Sequence, residues 1–334
     1  MTDLAVDIAG LALPDPLMVG SGPIAVRAAD LLAFGQAASA IVTKSISAMP
    51  SRGSPKPRIA KSDRDGMINY EGGPNPGIDA FSATLRKVIP AVPCPIIGSI
   101  SPRTLAFGSG LEHVVEKLAD AGVRAIELDF KYLYDQAKGQ SNFRPQDMSS
   151  IIARVRAVAA TPVIAKLAYG AIELADLARG AEDGGAAAIS AINAVFPAMR
   201  ISLRTRRSLL SMNYGGLSGA PIRPLAIAAI FRLYEVTKLP LIGIGGVTAA
   251  EDVVEFVLAG ATAVQVYTAA QLGGPGVFLK LRAELAQLLD GLGVSSIVQL
   301  RGAAHGDQKP LVDRQWDAIG QAEQPLAAQW PRVV

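Results

Sequence analysis

The sequence predicts a single (β/α)8 barrel, the α/β fold class also called a TIM barrel. Eight short apolar runs, rich in β-branched residues, recur along the 334 residues, and amphipathic helical segments separate most of them. This alternation indicates a parallel sheet, and eight repeats indicate that the sheet closes into a barrel. Composition agrees, because half of the residues are hydrophobic and only 5% are aromatic, as expected for strands buried on both faces.

The predicted elements follow one another in chain order. The strands cover 17–22, 40–45, 95–100, 125–130, 163–168, 188–193, 240–245 and 263–268. Helices are clearest where apolar residues share one face and a glycine follows, the usual stop signal. These helices cover 110–122, 147–160, 171–185 and 250–261. The rival fold with the same alternation is an open, doubly wound sheet.

Two long connections, 46–94 and 194–239, interrupt the repeat and are rich in Gly, Pro, Ser and Arg. Both follow predicted strands, so in a barrel we expect them to fold over the face that carries active sites. The sequence indicates no second domain. Residues 1–303 are predicted to form one barrel, and 304–334 a polar C-terminal tail.

Composition and charge argue against several classes of function. The formal net charge is +3 without a long Lys/Arg run, which gives nucleic-acid binding little support. One cysteine, Cys94, and two histidines offer no basis for a disulfide framework, an iron–sulfur cluster or a multi-histidine metal site. Residues 1–16 carry acids where a signal peptide carries bases. No apolar run reaches the roughly 20 residues of a membrane span. The single cysteine fits a reducing compartment, so we expect a cytoplasmic protein.

A phosphate site is predicted after the seventh and eighth strands, where barrels commonly hold phosphate. The seventh strand runs into GIGG, 243–246, and Thr248 and Glu251 fit a T-x-x-E capping box at the next helix. Glycines let a phosphate approach the backbone, and a helix N-terminus offers free N–H groups. Tyr267 and Thr268, which end the eighth strand, would close the site. The alternative is that the glycines serve only a tight turn.

Two lysines, Lys44 and Lys166, lie in predicted strands that otherwise hold apolar or small residues. A buried lysine is costly unless it has an anionic partner. That partner is either an anionic ligand or an internal carboxylate such as Glu127. A side chain that reaches the protein surface is the remaining alternative.

An ordered set of short motifs runs through most of the chain. They are VGSGP 19–23, VTKS 42–45, INYEGGPNPG 68–77, AKL 165–167, AIN 191–193, YGGLSGAPIRP 214–224, GIGG 243–246 and YT 267–268. Together they resemble the dihydroorotate dehydrogenase family, specifically its soluble class 1 type, and the flavin domain of dihydropyrimidine dehydrogenase. The resemblance covers roughly residues 5–300.

The resemblance implies that FMN lies across the top of the barrel. The residues that match its cofactor-binding positions are Ser21, Gly22, Lys44, Ser45, Lys166, Asn193, Gly215, Gly216, Gly245, Gly246, Tyr267 and Thr268. Lys166 resembles the residue that stabilises the negative charge of reduced flavin near N1, the kind of tuning that proteins impose on flavins. Lys44 and Lys166 are therefore also candidate catalytic residues.

The chain departs from the family at the end of the fourth strand. There the family reads Asn-x-Ser-Cys-Pro-Asn or a close variant, and its Cys, or a Ser in other classes, removes the substrate proton. Residues 129–134 read DFKYLY, so the thiol and both Asn are replaced, and Cys94 precedes the third strand. Without a gap, Tyr132 falls at the base position. With a usual pKa near 10 it is a better proton donor than base at neutral pH, unless neighbouring lysines lower that pKa.

On the substrate side of the predicted site, some residues thus match the family and others differ from it. Asn69 and Asn193 remain at pyrimidine-binding positions, while Asp129 and Lys131 are new candidate substrate contacts. Because an ionised Asp only accepts hydrogen bonds, Asp129 would prefer a donor or a cation on the ligand, or it pairs with a neighbouring lysine. Tyr132 is either the proton donor or a packing residue, and Lys131 either binds substrate or is solvated. Glu71 replaces an apolar residue beside the flavin turn.

The leading hypothesis is an FMN-dependent oxidoreductase that acts on a CH–CH or C=C bond of a small, polar ring substrate. Oxidation of dihydroorotate and reduction of an unsaturated ring are its two forms, and a proton-donating Tyr132 favours reduction. The other hypotheses are a redox-inactive flavin- or phosphate-binding barrel that acts as a subunit, and a flavin-free lyase or isomerase of a phosphate substrate. Electrons would come from a soluble donor or acceptor, or from a partner subunit. A homodimer is expected, with no nucleic-acid or membrane partner and no metal.

Overall fold

The computed structural model describes residues 2–306 apart from 64, 109, 132, 136–138, 142 and 171–172. Its strands, in chain order, are β1 (Val6–Ile8), β2 (Leu11–Leu13), β3 (Leu17–Val19), β4 (Ala40–Val42), β5 (Ile59–Asp63), β6 (Gly66–Asn69), β7 (Ile96–Ile100), β8 (Ala125–Phe130), β9 (Leu133–Asp135), β10 (Gly139–Ser141), β11 (Val163–Leu167), β12 (Ala188–Ala191), β13 (Val195–Ala198), β14 (Gly215–Gly219), β15 (Leu241–Ile244) and β16 (Ala263–Val266). Its helices are α1 (Ala28–Gly35), α2 (Ile78–Val88), α3 (Pro102–Phe107), α4 (Leu111–Ala121), α5 (Pro145–Val158), α6 (Leu174–Gly184), α7 (Arg223–Val236), α8 (Ala250–Leu258), α9 (Thr268–Gly273) and α10 (Gly276–Gly291).

Eight parallel strands close into a barrel, in the order β3-β4-β7-β8-β11-β12-β15-β16 with β16 paired to β3. They are the eight strands that the sequence predicts, and the closure rules out the open, doubly wound sheet. Every residue within these strands is buried. Burial on both faces is why the strands read as continuous apolar runs rather than as alternating ones.

The predicted helices occur as α4, α5, α6 and α8, with ends that differ by up to three residues from the prediction. In α4 the apolar face is fully buried against the barrel, where each Leu or Val contributes about 1.5–3 kcal/mol. Gly122 and Gly185 end α4 and α6 with φ values of +93° and +80°. This left-handed conformation is strained for residues other than glycine, which is why a glycine marks the end of each of these helices.

A second sheet covers the C-terminal ends of the barrel strands. It is antiparallel, in the order β13-β14-β6-β5, and its strands come from the two long connections. Gly216 of β14 pairs with Asn69 of β6. The connections therefore fold over the predicted face of the barrel. Their strands were not predicted from the sequence, because these short segments are half-exposed and several of their residues are Gly.

The start of α8 differs from the prediction. The helix begins at Ala250, and the Asp252 carboxylate accepts hydrogen bonds from the N–H groups of Thr248 at 2.7 Å and Ala249 at 2.9 Å. The predicted capping box of Thr248 and Glu251 is therefore wrong. The helix begins one residue later than that pattern requires, so Asp252 occupies the third helical position and Glu251 is exposed.

The last described residues pack on the barrel. A 3-10 turn spans Ala303–His305, and the His305 ring stacks on Phe231 with ring centroids 3.7 Å apart. The predicted boundary between barrel and tail falls inside this turn, and residues 307–334 lie outside the described residues. In the part of the chain that the structure describes, no helix is long and apolar enough to cross a membrane.

Candidate active site

A cavity of about 270 Å³ opens at the C-terminal ends of the barrel strands, beneath the second sheet. This is the face on which barrel enzymes carry their active sites. The predicted site residues that line it are Ser21, Gly22, Lys44, Ser45, Asn69, Asp129, Lys131, Lys166, Asn193, Gly216, Gly245, Gly246, Tyr267 and Thr268. Tyr132 lies outside the described residues, so its predicted position stays a prediction.

Gly215 is the predicted site residue that the structure describes away from the cavity lining. A Cβ atom at this position would lie 2.5 Å from Leu210 Cδ1 and 2.7 Å from the carbonyl oxygen of Asn69. The glycine thus allows β14 to approach β6 closely. Packing explains this glycine, and nothing in its surroundings supports a cofactor contact.

The predicted phosphate corner is built mainly from backbone. Gly245 and Gly246 have φ values of +133° and +83°, which only glycine adopts without strain. A Cβ atom on Gly246 would lie 2.6 Å from Arg223 Cβ, so no side chain fits there. Beside them the Thr268 hydroxyl lies 3.0 Å from the Ser218 hydroxyl. The corner therefore offers backbone and hydroxyl groups in the arrangement that suits a phosphate.

Tyr267 closes this corner as an uncharged hydrogen-bond donor. Its hydroxyl donates to Gln271 Oε1 at 2.9 Å. Burial raises the pKa of the phenol well above its usual value, and the charge of Glu71 raises it further. Its ring lies where a Cβ atom on Gly22 would be, so Gly22 is needed for packing as well as lining the cavity.

Lys166 pairs with a buried carboxylate at the floor of the cavity. Its Nζ lies 3.5 Å from Glu127 Oε1, while Glu127 Oε2 accepts hydrogen bonds from Ser190 Oγ at 3.0 Å and Gln265 Nε2 at 2.7 Å. The internal partner that the sequence left open for Lys166 is thus present. Lys166 also lines the cavity, so its ammonium lies between Glu127 and any ligand.

Within the part of the chain that the structure describes, the side chain of Gln265 leaves one hydrogen-bond acceptor without a partner at the floor of the cavity. Its Oε1 is buried and has no hydrogen-bond partner among the described residues, although Gln265 lines the cavity. Buried polar atoms are nearly always satisfied in the functional state. An N–H group of a ligand would satisfy this one.

Lys44 pairs with Glu71, at 2.5 Å between Nζ and Oε2, and both side chains are little exposed. Glu71 lies in the loop after β6 and was not among the predicted site residues. The only signal in the sequence was its charge at a position where the family has an apolar residue. Because the pair is largely removed from water, its mutual attraction is stronger than that of a surface pair.

Asp129 is fixed by two hydrogen-bond donors at the end of β8. Its Oδ1 accepts from Asn193 Nδ2 at 2.6 Å, and its Oδ2 accepts from Ser45 Oγ at 3.4 Å. Asn69, the other predicted amide, donates to the carbonyl oxygen of Gly216 at 3.3 Å. Asp129 and Asn193 therefore form one unit, and part of the donor capacity of Asn193 is used within the protein.

Lys131 is half-buried and lines the same cavity. The pKa of its ammonium is lowered from 10.5, mainly because burial penalises the charged form; Lys44 and Lys166 lower it further, whereas Asp129 and Glu71 oppose the change. A lysine in this environment loses its proton more readily than an exposed one. It is therefore a better proton donor or base near neutral pH than an exposed lysine.

Several lining residues were missed by sequence reasoning. Arg103 follows β7, and the rule that residues after barrel strands face the site would have found it. Tyr70 and Phe196 belong to the long connections, where no pattern indicated which residues face the cavity. Cys94 precedes β7 and is not on the lining; burial raises its pKa to about 11, which makes it a poor nucleophile. No cluster of three or more His, Cys, Asp or Glu suited to a metal occurs within the described residues.

Comparison with known proteins agrees with the motifs. The family model described as "Dihydroorotate dehydrogenase" matches residues 3–289. The chain belongs to the dihydroorotate dehydrogenase family. Among its relatives are catalytic subunits named dihydroorotate dehydrogenase B (NAD(+)). That of Desulforudis audaxviator is 36% identical over 307 residues, covering 90% of this chain and 97% of the relative. That of Pyrococcus abyssi is 35% identical over 306 residues, covering 90% and 99%.

The fold comparison agrees as well. The crystal structure of a DHODH from Eimeria tenella in complex with ferulenol aligns with a TM-score of 0.74 over 91% of this chain and 89% of that one. At 20% sequence identity this likeness supports the barrel alone.

Family membership makes this protein an FMN-dependent oxidoreductase of the CH–CH type, as the sequence predicted. It sets aside the flavin-free lyase and the redox-inactive subunit. The cavity fits the cofactor, because it combines a backbone phosphate corner at Gly245 and Gly246 with a buried lysine and an unused acceptor at Gln265. The relatives are named as catalytic subunits, which implies a partner subunit for those proteins. The homodimer stays a prediction.

Proposed function

We propose that this protein acts on the carbon–carbon bond of a small, polar ring and moves the substrate proton with a side chain other than a thiol. The observation that supports it most is the pair of charged residues at the end of β8. There Asp129, fixed by Asn193, and the half-buried Lys131 line the cavity where the family carries its thiol base.

FMN supplies or accepts the hydride in this chemistry. Gly245, Gly246, Tyr267 and Thr268 would hold its phosphate. Lys166 would oppose the negative charge that the ring gains on reduction. Since Lys166 is held by Glu127, its position does not depend on the ligand.

Lys131 is our candidate for proton transfer among the described residues. In the reductive direction its ammonium gives a proton to one carbon of the C=C bond while the other carbon receives the hydride, so two C–H bonds form as the π bond breaks. In the oxidative direction its neutral amine removes that proton. The cavity position and the lowered pKa support both roles. Tyr132 remains the alternative donor that the sequence predicts.

The groups at the end of β8 favour a ring that donates hydrogen bonds. Glu71 already neutralises Lys44, and Asp129 would repel an anionic substituent while accepting from a ring N–H. The favoured reaction is therefore the reduction of an unsaturated ring that carries hydrogen-bond donors. Dihydroorotate oxidation is the second candidate, and the names of the relatives support it.

The test is anaerobic bleaching and recovery of the flavin absorption band. Chemically reduced enzyme is mixed with unsaturated heterocycles, and oxidised enzyme with their dihydro forms, including dihydroorotate. We expect an unsaturated ring that donates hydrogen bonds to reoxidise the flavin fastest. Oxidation of dihydroorotate at ordinary enzyme rates, about 1–10³ per second, would overturn the favoured reaction and support the second candidate.

A further inference from the structure

Two neighbouring segments carry a concentration of positive charge that the chain as a whole lacks. Segments 47–61 and 194–214 contain no Asp or Glu, whereas the whole chain balances 32 basic residues with 29 acidic ones. We call their cations the basic platform. Its members are Arg52, Lys56, Arg58, Lys61, Arg200, Arg204, Arg206 and Arg207.

The segments form one surface because they are hydrogen-bonded to each other. Ser211 donates its N–H to the carbonyl of Pro57 at 2.9 Å and its hydroxyl to that of Pro55 at 2.6 Å. Within the second segment, the Leu209 N–H donates to the Arg200 carbonyl at 2.9 Å. This pairing folds 200–209 back on itself and brings its arginines together.

The platform has no counter-charge of its own. Within the described part of the chain, none of its eight members forms an ion pair within 4.0 Å, whereas Arg27, Arg144, Arg154 and Arg232 on the barrel exterior each do. All but Arg58 are exposed. Like charges held close together destabilise the folded state through mutual repulsion. An external anionic partner would relieve that repulsion.

Large apolar side chains lie among these cations. Leu203 is 93% exposed, Met49 74% and Ile201 57%. Exposed apolar groups surrounded by charge are typical of protein–protein contact sites. The combination fits a protein surface with a hydrophobic centre and an acidic rim.

The platform adjoins the flavin cavity. Ile59 follows Arg58 directly and lines the cavity, and Phe196 lines it from the strand that leads to Arg200. A protein seated on the platform is therefore close to the cofactor. Each turnover of a C=C reduction consumes two electrons, and the described residues hold no cluster suited to a metal relay. Those electrons must reach the flavin from another molecule.

We propose that the basic platform docks an acidic redox protein that exchanges electrons with the flavin. A one-electron carrier would dock twice per turnover, each visit reducing the flavin by one electron, with protons taken from solvent. The proposal rests on the reductive direction of the proposed function and not on the identity of the ring substrate.

The test compares two triple variants with reduced acidic carriers, a [2Fe–2S] ferredoxin and a flavodoxin. One variant reverses the platform charge by Arg204→Glu, Arg206→Glu and Arg207→Glu. The matched control reverses three exposed charges elsewhere, by Arg86→Glu, Lys87→Glu and Arg124→Glu. We expect kcat/KM for at least one carrier to fall more than tenfold in the platform variant only, and the wild-type value to fall as ionic strength rises. Reduction by excess dithionite should be equal in all three proteins.

Three outcomes would overturn the proposal. The first is that neither carrier reduces the wild-type flavin faster than that of the platform variant. The second is a change of oligomeric state in the platform variant, which would make this face a contact between copies of the chain. The third is binding to phosphatidylglycerol vesicles that the platform variant loses while carrier rates stay unchanged. Turnover with dithionite as donor separates each of these from failure of the ring-reduction proposal.

Discussion

The two ends of the cavity are built by different means. The phosphate corner is built from backbone groups, because Gly245 and Gly246 adopt positive φ and leave no room for a side chain. The other end is built from side chains, because Asp129 near the end of β8 and Lys131 directly after it both line the cavity. Backbone sites tolerate few substitutions, whereas a strand end accepts new side chains without moving the fold. One barrel can therefore keep its cofactor while changing its substrate.

The largest effect should come from breaking the backbone end. Gly246→Asp forces a side chain into a positive φ and places a carboxylate against the phosphate, so the purified protein should lose its FMN. The measurement is the visible flavin band with circular dichroism as the check of folding. Gly276→Asp is the control, since an added Cβ at Gly276 meets nothing within 4 Å. A folded Gly246→Asp protein with its full flavin content would contradict the assignment of this corner as the phosphate site.

At the side-chain end, Lys131→Met should keep FMN and slow turnover by about 10²–10⁴, the usual worth of general acid–base catalysis. In the reductive direction the wild-type rate should fall as pH rises through the lowered pKa of Lys131, because the amine then has no proton to give. Lys131→Arg keeps the charge but gives up no proton, so it should lose turnover as Lys131→Met does.

Tyr132→Phe is the matching variant for the neighbouring phenol, with turnover measured on the same substrate. If proton transfer belongs to Lys131, this variant should stay within a few-fold of the wild type. A loss of about 10²–10⁴ in Tyr132→Phe, together with an unaffected Lys131→Met, would assign the role to Tyr132 as the sequence predicts.

Lys166 and Glu127 form the floor between the two ends of the cavity. Replacing one or the other should shift the flavin midpoint potential in opposite directions. Lys166→Ala removes a charge-assisted contact worth about 1.5–3 kcal/mol and should make the flavin harder to reduce. Glu127→Gln removes the opposing negative charge and should make it easier. Titration of the flavin midpoint potential checks both, and equal potentials in both variants would leave the pair with a structural role only.

The smallest effect concerns the Lys44–Glu71 pair. Glu71→Gln releases Lys44, so a ring with a carboxylate should bind about tenfold more tightly, or about 1.4 kcal/mol. Perturbation of the flavin spectrum by orotate gives the dissociation constant. The double variant with Lys44→Met should cancel the gain; a gain that survives in it would have another cause.

The features that could be predicted from the sequence divide in the same way, between structure set by the backbone and contacts made by side chains. The barrel strands were recognised because burial on both faces leaves an unbroken apolar run, as in β8 and β11. The glycines of the phosphate corner were recognised because few residue types suit such backbone. The partners of Lys44 and Asp129 were not, since Glu71 lies on a different element and a hydrogen bond between distant residues leaves no periodic signal. The cap of α8 was misplaced by one residue, a shift too small for a pattern to resolve.

The covering sheet has a consequence for the order of folding. Its central strands, β6 and β14, are joined by a hydrogen bond between residues 147 positions apart, Asn69 and Gly216. Contacts so distant in sequence form late, because closing the intervening chain is entropically costly until the strands between them have packed. The barrel itself closes through a still more distant pairing, that of Leu17 with Val264. Roof and barrel closure are therefore both late, and flavin enters a nearly finished protein. Hydrogen exchange on apo-protein should find β6 and β14 opening before β8 and β11; equal protection would show that roof and barrel form together.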